Sequence, residues 1–415
     1  TAQFAATNRA IAIRTTGSFG ENGGSFVLQL ENTLGKGNFS LDIVHMVFDS
    51  QPRTTNFIVE YSKSATGTSG WVQIGNGSTA AAFGASLPIT YTIGSGMNNH
   101  NGPVWIRIRV TSSTGSGNRD TFGIDNFKLS WDPITSWNGT SWVGVGGGTP
   151  SATVGAIIQG DYNTATNGVF PSPLWLTVNA GATFTVATGT TLNVENAITN
   201  DAGVDNFVME NNANIIQSNV VTNVGSITVK RNSAPIVRLD HTLWSSPMSG
   251  IGPQKLNVFS PNTLPNRFYT YNSGTDQFEA IAATTNILPG RAYGIRAPND
   301  WQAAPALAWE GVFKGNPYSG GGNLPIPVSG TGFKLIGNPY PSTLDGTAFV
   351  NANMNRAQFP NSSISGTLYF YAHSLAMNAD GTFPTGTNYS TWNLGGYTLA
   401  TETTEIPNGI IQVGQ

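Results

Sequence analysis

The chain has 415 residues, of which only 10% are charged, with 50 glycines, no cysteine and a formal net charge of −3. At about 100–200 residues per domain, two to four units are expected. The shortage of charged helix formers excludes coiled coils and long helical bundles, while 39% hydrophobic and 10% aromatic residues exclude a disordered chain. The 19 basic residues are scattered with no Lys/Arg run, so a nucleic-acid partner has no electrostatic footprint. No apolar run approaches the ~20 residues of a membrane span. Without cysteine there are no disulfides or thiolate metal sites. Low charge with abundant Thr, Asn and Gly points to an all-β protein of an extracellular or cell-surface location.

Residues 1–132 alternate with period two in several runs: Ser25 to Leu30, Phe39 to Val44, Phe57 to Tyr61 and Val104 to Val110. In the last, Val104, Ile106, Ile108 and Val110 face one way and Trp105, Arg107 and Arg109 the other, as in a half-buried antiparallel strand. Glycine-rich turns such as Gly67 to Gly70 and Gly115 to Asn118 separate the runs. Strands at this spacing predict a jelly-roll-like β-sandwich. Asp132-Pro133 marks its end, and a glycine-rich link, Gly144 to Pro150, follows soon after.

Residues 133–232 have a different rhythm. Short strands are predicted at Ala156 to Gln159, Leu174 to Val178, Thr183 to Val186, Thr191 to Val194, Phe207 to Glu210 and Ile227 to Lys230. They recur every 8–20 residues or so, with Asn-, Gly- and Ala-rich corners between them. This is the pattern of a small β-solenoid, whose coils bury their apolar sides only by stacking. A plain sandwich is the competing reading. Trp137 and Trp142 are placed to close one end of the stack, where strand edges would otherwise be open.

Residues 233–415 form a third β-rich, sandwich-like domain. Its strands are predicted at Arg267 to Tyr271, Ala292 to Arg296, Gly332 to Gly337 and Thr367 to Tyr371. One short helix is expected at Leu344 to Asn353, capped by Thr343 or Ser342.

No catalytic constellation is evident. The histidines His45, His100, His241 and His373 make no two-His helical spacing, and no G-x-S-x-G elbow exists. Asp240-His241 is the one adjacent acid–imidazole pair, and it reads as a strand-end polar pair whose members point to opposite faces. The solenoid zone holds Asp161, Glu195, Asp201, Asp205 and Glu210 with only Lys230 basic, which is thin for a polysaccharide-degrading site. Calcium, which takes six to eight oxygens, is the better chemical candidate, with Glu21, Asp120 and Asp125 as ligands where the first and last strands of a jelly roll meet. Sugar-stacking platforms are expected among Trp71, Trp137 and Trp142, with Trp105 and Trp301 as further candidates.

Several motifs taken together resemble the large exported surface proteins of Bacteroidota that are substrates of the type IX secretion system. They are Asn8 to Gly20, Gly102 to Ile108 with Gly123 to Phe127, Ser136 to Gly139, Leu243 to Pro247, Leu288 to Tyr293, Leu335 to Ser342 and Ile406 to Ile410. The resemblance implies a bacterial protein that is secreted or displayed on the cell surface, an export machinery as a partner, and a sorting domain beyond Gln415. It assigns no catalytic residue.

The leading expectation is a non-enzymatic structural or adhesion protein, partnered with itself as a fibre or layer subunit. Self-pairing is expected through a terminal strand, either that of Phe4, Ile11 and Ile13 or that of Ile410, Ile411 and Val413. The alternative is a carbohydrate-binding surface protein with a glycan partner. A solenoid-type polysaccharide-degrading enzyme stands third.

Overall fold

A computed structural model describes residues 10–17, 23–49, 51–79, 86–144, 148–320, 324, 332–354, 364–375, 385–404 and 407–414. The chain forms two units. The first holds residues 1–135, 142–149 and 153–155, and the second holds the rest. No helix among the described residues is long and apolar enough to cross a membrane.

The first unit is a β-sandwich. Its strands are β1 (Ile11–Arg14), β2 (Ser25–Leu30), β3 (Lys36–Asp49), β4 (Thr54–Ser62), β5 (Val72–Ser78), β6 (Ser86–Gly94), β7 (Val104–Thr114), β8 (Thr121–Trp137) and β9 (Trp142–Gly144). One sheet runs in the order β2-β7-β4-β5, all antiparallel. The other places β3 between β6 and β8, with β1 along the start of β8. Period-two alternation puts Phe39, Leu41 and Ile43 of β3 against Phe57 and Val59 of β4 and Ile106 and Ile108 of β7, all in one core. The expected split of β7 holds, with its aliphatic residues buried and Trp105, Arg107 and Arg109 on the opposite face.

His45 lies inside this core. It packs against the stacked pair Phe57 and Phe122, at 4.5 and 5.9 Å between ring centroids, its Nε2 is 3.0 Å from the Tyr91 hydroxyl, and its Nδ1 has no partner among the described residues. Burial pushes its pKa down to about 4 and that of Tyr91 up to about 12.

The second unit begins with a parallel β-solenoid. Its strands are β10 (Gly155–Ile158), β11 (Tyr162–Asn163), β12 (Leu176–Val178), β13 (Phe184–Val186), β14 (Thr191–Val194), β15 (Ile198–Asn200), β16 (Phe207–Met209), β17 (Asn214–Gln217) and β18 (Ile227–Ile236). They stack on three faces: β10-β12-β15, β11-β13-β16-β18 and β14-β17. Partners such as Ala156 and Leu176, or Phe184 and Phe207, are 20 to 23 residues apart, which is the length of one coil. The shorter spacing read from the sequence is the distance between successive sides of a coil.

The interior is a set of ladders. Tyr162, Phe184 and Phe207 stack in register, with Phe170 edge-on to the first two. Leu176 stacks on Ile198, and Val186 on Met209 and then Val229, all fully buried. Asparagines bridge the corners, as where Asn219 Nδ2 donates to Asn196 Oδ1 at 3.0 Å. Gly225 turns a corner at φ +82°, where a Cβ would lie 2.1 Å from the Asn200 carbonyl oxygen. Trp137 plugs the first coil, edge-on to Tyr162, with its Nε1 donating to the Asp161 carbonyl at 2.9 Å. Trp142 opens β9, which pairs with β8.

The boundary expected at 232 is not a break. It falls within β18, which pairs with solenoid strand β16 on one edge. On the other edge it runs antiparallel to a strand at Leu307–Gly315. Solenoid and C-terminal region therefore share one sheet. The remaining strands are β19 (His241–Ser245), β20 (Phe268–Asn272), β21 (Gln277–Ala280), β22 (Ala292–Arg296), β23 (Leu307–Gly315), β24 (Leu344–Asp345), β25 (Leu368–Tyr371), β26 (Tyr389–Asn393), β27 (Gly396–Thr398) and β28 (Ile410–Ile411). Two small sheets, β19-β22-β20-β21 and β25-β26-β27, carry many of the aromatic residues of this region.

Two local expectations are corrected. Residues 332–337 form no strand; Gly337 is held by one backbone bond to Gly290, and Asn338 ties the following turn by donating to the carbonyls of Ser342, Ile411 and Gln412. The helix is Gly346–Asn353, and its cap is Asp345, which accepts from the amides of Thr347 and Ala348. A carboxylate two residues ahead satisfies the free first-turn amides better than the hydroxyls upstream.

Phe184→Ala is expected to destabilise the second unit by about 3–5 kcal/mol, since it empties the middle of the aromatic ladder; chemical denaturation measures it. Acid provides a test in the first unit. His45 is neutral in the fold until about pH 4 but titrates near its ordinary 6.5 when unfolded. The unfolded state thus binds the extra proton between those values, so stability is complete above about 6.5 and falls as pH drops toward 4, by roughly 3 kcal/mol. Denaturation midpoints at pH 7 and pH 4.5 should fall less steeply in His45→Gln than in the parent chain.

Candidate functional site

The solvent face of the β2-β7-β4-β5 sheet carries an assembly of rings and charges. Registry places Val27 beside Arg107, and Arg107 beside Glu60. Glu60 is nearly buried, yet it sits between two cations. Its Oε2 accepts from Arg107 Nε at 2.7 Å and from Arg109 Nε at 3.0 Å, and its Oε1 from Arg109 Nη2 at 3.4 Å. Desolvation opposes the carboxylate's charge, but the bonds and charges of Arg109 and Arg107 outweigh it and hold the pKa below its usual value. The Arg107 guanidinium lies flat over the Trp71 indole, 3.6 Å from the ring centroid. Beside this, the Trp105 Nε1 donates to the Ser64 carbonyl at 3.0 Å, and Gly67 at φ +66° packs on its ring, where a Cβ would lie 2.6 Å away.

Trp71 is thus half-buried and locked by the guanidinium on one face. The terminal nitrogens of Arg107 and Nη1 of Arg109 have no protein acceptor among the described residues. The result is a rigid surface with an aromatic plane, an exposed Val27 and fixed hydrogen-bond donors. The opposite sheet has a groove of about 380 Å³ over β3, β6 and β8, where the Asp42 carboxylate accepts from the Thr90 hydroxyl at 2.6 Å.

A second concavity lies wholly within the second unit. About 430 Å³ is enclosed between β19, β20, β21 and β22 on one side and β25, β26 and the residues flanking them on the other. Tyr269, Phe278, Tyr371 and Tyr389 supply rings, and His241, Thr242 and Asn388 supply polar groups. Burial pushes the His241 pKa down to about 4, with the nearby Arg296 and Arg267 adding to the fall. Behind His241, the buried His373 places Nδ1 4.0 Å from Asp240 Oδ2 and bonds through Nε2 to the His241 carbonyl. His373 adopts the left-handed region at φ 55° to do so.

The residues singled out from sequence fare unevenly. Trp71 sits in the sheet-face assembly. Trp137 is a core plug at 7% exposure, and its nitrogen is spent on Asp161, so it is not a platform. Trp142 is half-buried in β9. Trp301 is also partly buried, donating to the Ile236 carbonyl at 3.1 Å.

Among the described residues no group of three or more His, Asp or Glu side chains is placed to hold a metal. Asp120 is buried, accepting from the Thr79 hydroxyl at 2.8 Å and from the Gln51 amide. Asp125 turns back on the amide of Asn126 at 2.7 Å, and Glu21 lies outside the described residues.

Of the self-pairing strands, Phe4 lies outside the described residues. Ile11 and Ile13 lie in β1, paired with β8, and Ile11 is 66% exposed. The C-terminal strand is paired internally on one edge. Ile410 and Ile411 pair with β24, Val413 is 3% exposed, and the Gly414 carbonyl accepts from the Ser245 amide at 2.9 Å.

Sequence reasoning missed Glu60, Tyr371, Tyr389 and the meeting of His373 with Asp240. Glu60 and the two arginines were legible as opposite charges on the outward phase of two alternating runs. The others come together only through contacts between distant strands.

No curated protein matches the chain. Structural similarity is found to carbohydrate-binding modules. A CBM61 module in complex with β-1,4-galactotriose is 15% identical, with 30% of this chain and 70% of that one covered at a TM-score of 0.20. The N-terminal cellulose-binding domain of β-1,4-glucanase C from Cellulomonas fimi is 14% identical over 30% and 80%, also at 0.20. A CBM36 module in complex with calcium and xylotriose is 12% identical over 30% and 94%, at 0.18. One family model accounts for most of the length, matching residues 130–415, and the chain therefore belongs to the family described as Domain of unknown function (DUF8693).

Proposed function

We propose that this protein is a non-catalytic glycan-binding protein of an extracellular or cell-surface location, and that the outer face of the β2-β7-β4-β5 sheet is its binding surface. The observation that carries the reading is the Trp71–Arg107–Glu60–Arg109 assembly. A sugar ring offers an apolar C–H face and a rim of hydroxyls. An indole held flat suits the first, and guanidinium donors held by a shared carboxylate suit the second. Because the side chains are already ordered by their own contacts, little conformational entropy is lost on binding.

Catalysis has less support. The one carboxylate at this face is locked between two arginines and held ionised, so it is poorly suited to give or take a proton at neutral pH. Among the described residues no ligand set supports calcium in this reading. Display at a bacterial surface is supported by the motif resemblance to type IX secretion substrates. Self-assembly through the C-terminal strand loses support from its internal pairing.

Affinity electrophoresis through gels containing soluble plant and bacterial polysaccharides tests the proposal. At least one polysaccharide should retard the parent chain, and Trp71→Ala should weaken that binding about tenfold or more, equivalent to about 1.4 kcal/mol. Migration unaffected by every polysaccharide, or retardation equal in parent and Trp71→Ala, would remove the reading.

A further inference from the structure

The cavity between the two small sheets of the second unit is separate from the proposed sheet-face surface and shares none of its residues. Its volume of about 430 Å³ falls in the ~300–1,000 Å³ range of small-molecule sites. Its walls are mostly rings and aliphatic groups, which would suit any apolar ligand. The polar groups narrow the choice. The His241 imidazole and the hydroxyls of Tyr371 and Tyr389 have no hydrogen-bond partner among the described residues, although all three line the cavity. Asn388, by contrast, is spent within the fold, since its amide holds the backbone of Leu375 in both directions.

No lining residue is an Asp, Glu, Lys or Arg. With His241 depressed to about 4 and the tyrosines raised by burial, the lining is uncharged at neutral pH. A charged ligand would therefore lose its hydration without gaining a directly opposed charge. A hydrocarbon chain would leave three polar groups unpaired at a cost of about 1–3 kcal/mol for each one fully desolvated. A ligand that fits both demands has apolar faces and several neutral groups at its edge, each able to donate and to accept.

We propose that this cavity binds a single neutral pyranose ring, with one C–H face against Tyr371 and Tyr389 and its hydroxyls bonded to His241 and the tyrosine hydroxyls. Phe278, 42% exposed, stands at the mouth, where the rest of a longer glycan would leave. The site shares with the proposed function only the broad class of ligand, and either can hold without the other.

Saturation-transfer difference NMR on the full chain at pH 7 tests it, using D-glucose, D-galactose, D-mannose, D-xylose and N-acetyl-D-glucosamine as probes. At least one should bind, with a Kd on the order of 1 mM. Tyr371→Ala should weaken it tenfold or more and Tyr389→Phe severalfold, while Trp71→Ala leaves it unchanged. Tyr389→Phe deletes one hydroxyl and keeps the packing, so it decides the matter if Tyr371→Ala fails to fold. Binding of none of the five sugars would overturn the proposal. So would binding unmoved by the tyrosine changes, or D-glucuronate binding more tightly than D-glucose. Loss of sugar binding in Trp71→Ala with none in the tyrosine variants would assign it to the sheet face instead.

Discussion

The second unit depends on the stacking of coils that cannot bury their own interiors. A turn of 20 to 23 residues has three short sides, each contributing two or three inward side chains. Only a neighbouring coil can remove those side chains from water, and it does so residue on residue, Phe184 on Phe207 and Leu176 on Ile198. The ends are then the weak points of the stack. Trp137 closes one, and β18 closes the other by exchanging a parallel partner for the antiparallel strand β23. That exchange joins the solenoid to the C-terminal strands in a common sheet, so the two regions form one unit and not two.

The first unit is organised by a simpler constraint. Each strand of its sandwich has one face for the core and one for water. The inward phase is nearly pure hydrocarbon and aromatic, apart from His45, which the core keeps neutral. The outward phase of β4 and β7 is where charge gathers, and there Glu60 offsets one of the two arginine charges at close range. The same pairing that makes Glu60 tolerable at low exposure also holds Arg107 flat on Trp71. Stability and surface chemistry share one set of contacts.

In the C-terminal part, polar side chains stand in for missing regular structure. Asn338 ties three carbonyls, Asn388 clamps the turn at Leu375, and Asp345 caps the helix. These bonds let long irregular segments lie against the small sheets without leaving backbone groups unpaired.

The sequence by itself determined the all-β character, the place of six of the nine solenoid strands and the inward and outward phases of β7. Those features are local, because alternation and turn residues act over a few positions. The solenoid's true period was harder to read, since the three sides of a coil differ in length and spacing. The join at β18 was not legible, because strand pairing between Ile236 and Leu307 depends on no pattern near either residue. The sheet-face assembly was half visible, as opposite charges on outward phases, but which charges would meet required the register of β4 against β7. The cavity was decided by tertiary structure alone. Tyr371 and Tyr389 lie more than a hundred residues beyond His241, and a pocket is a property of the space left between elements rather than of any one of them.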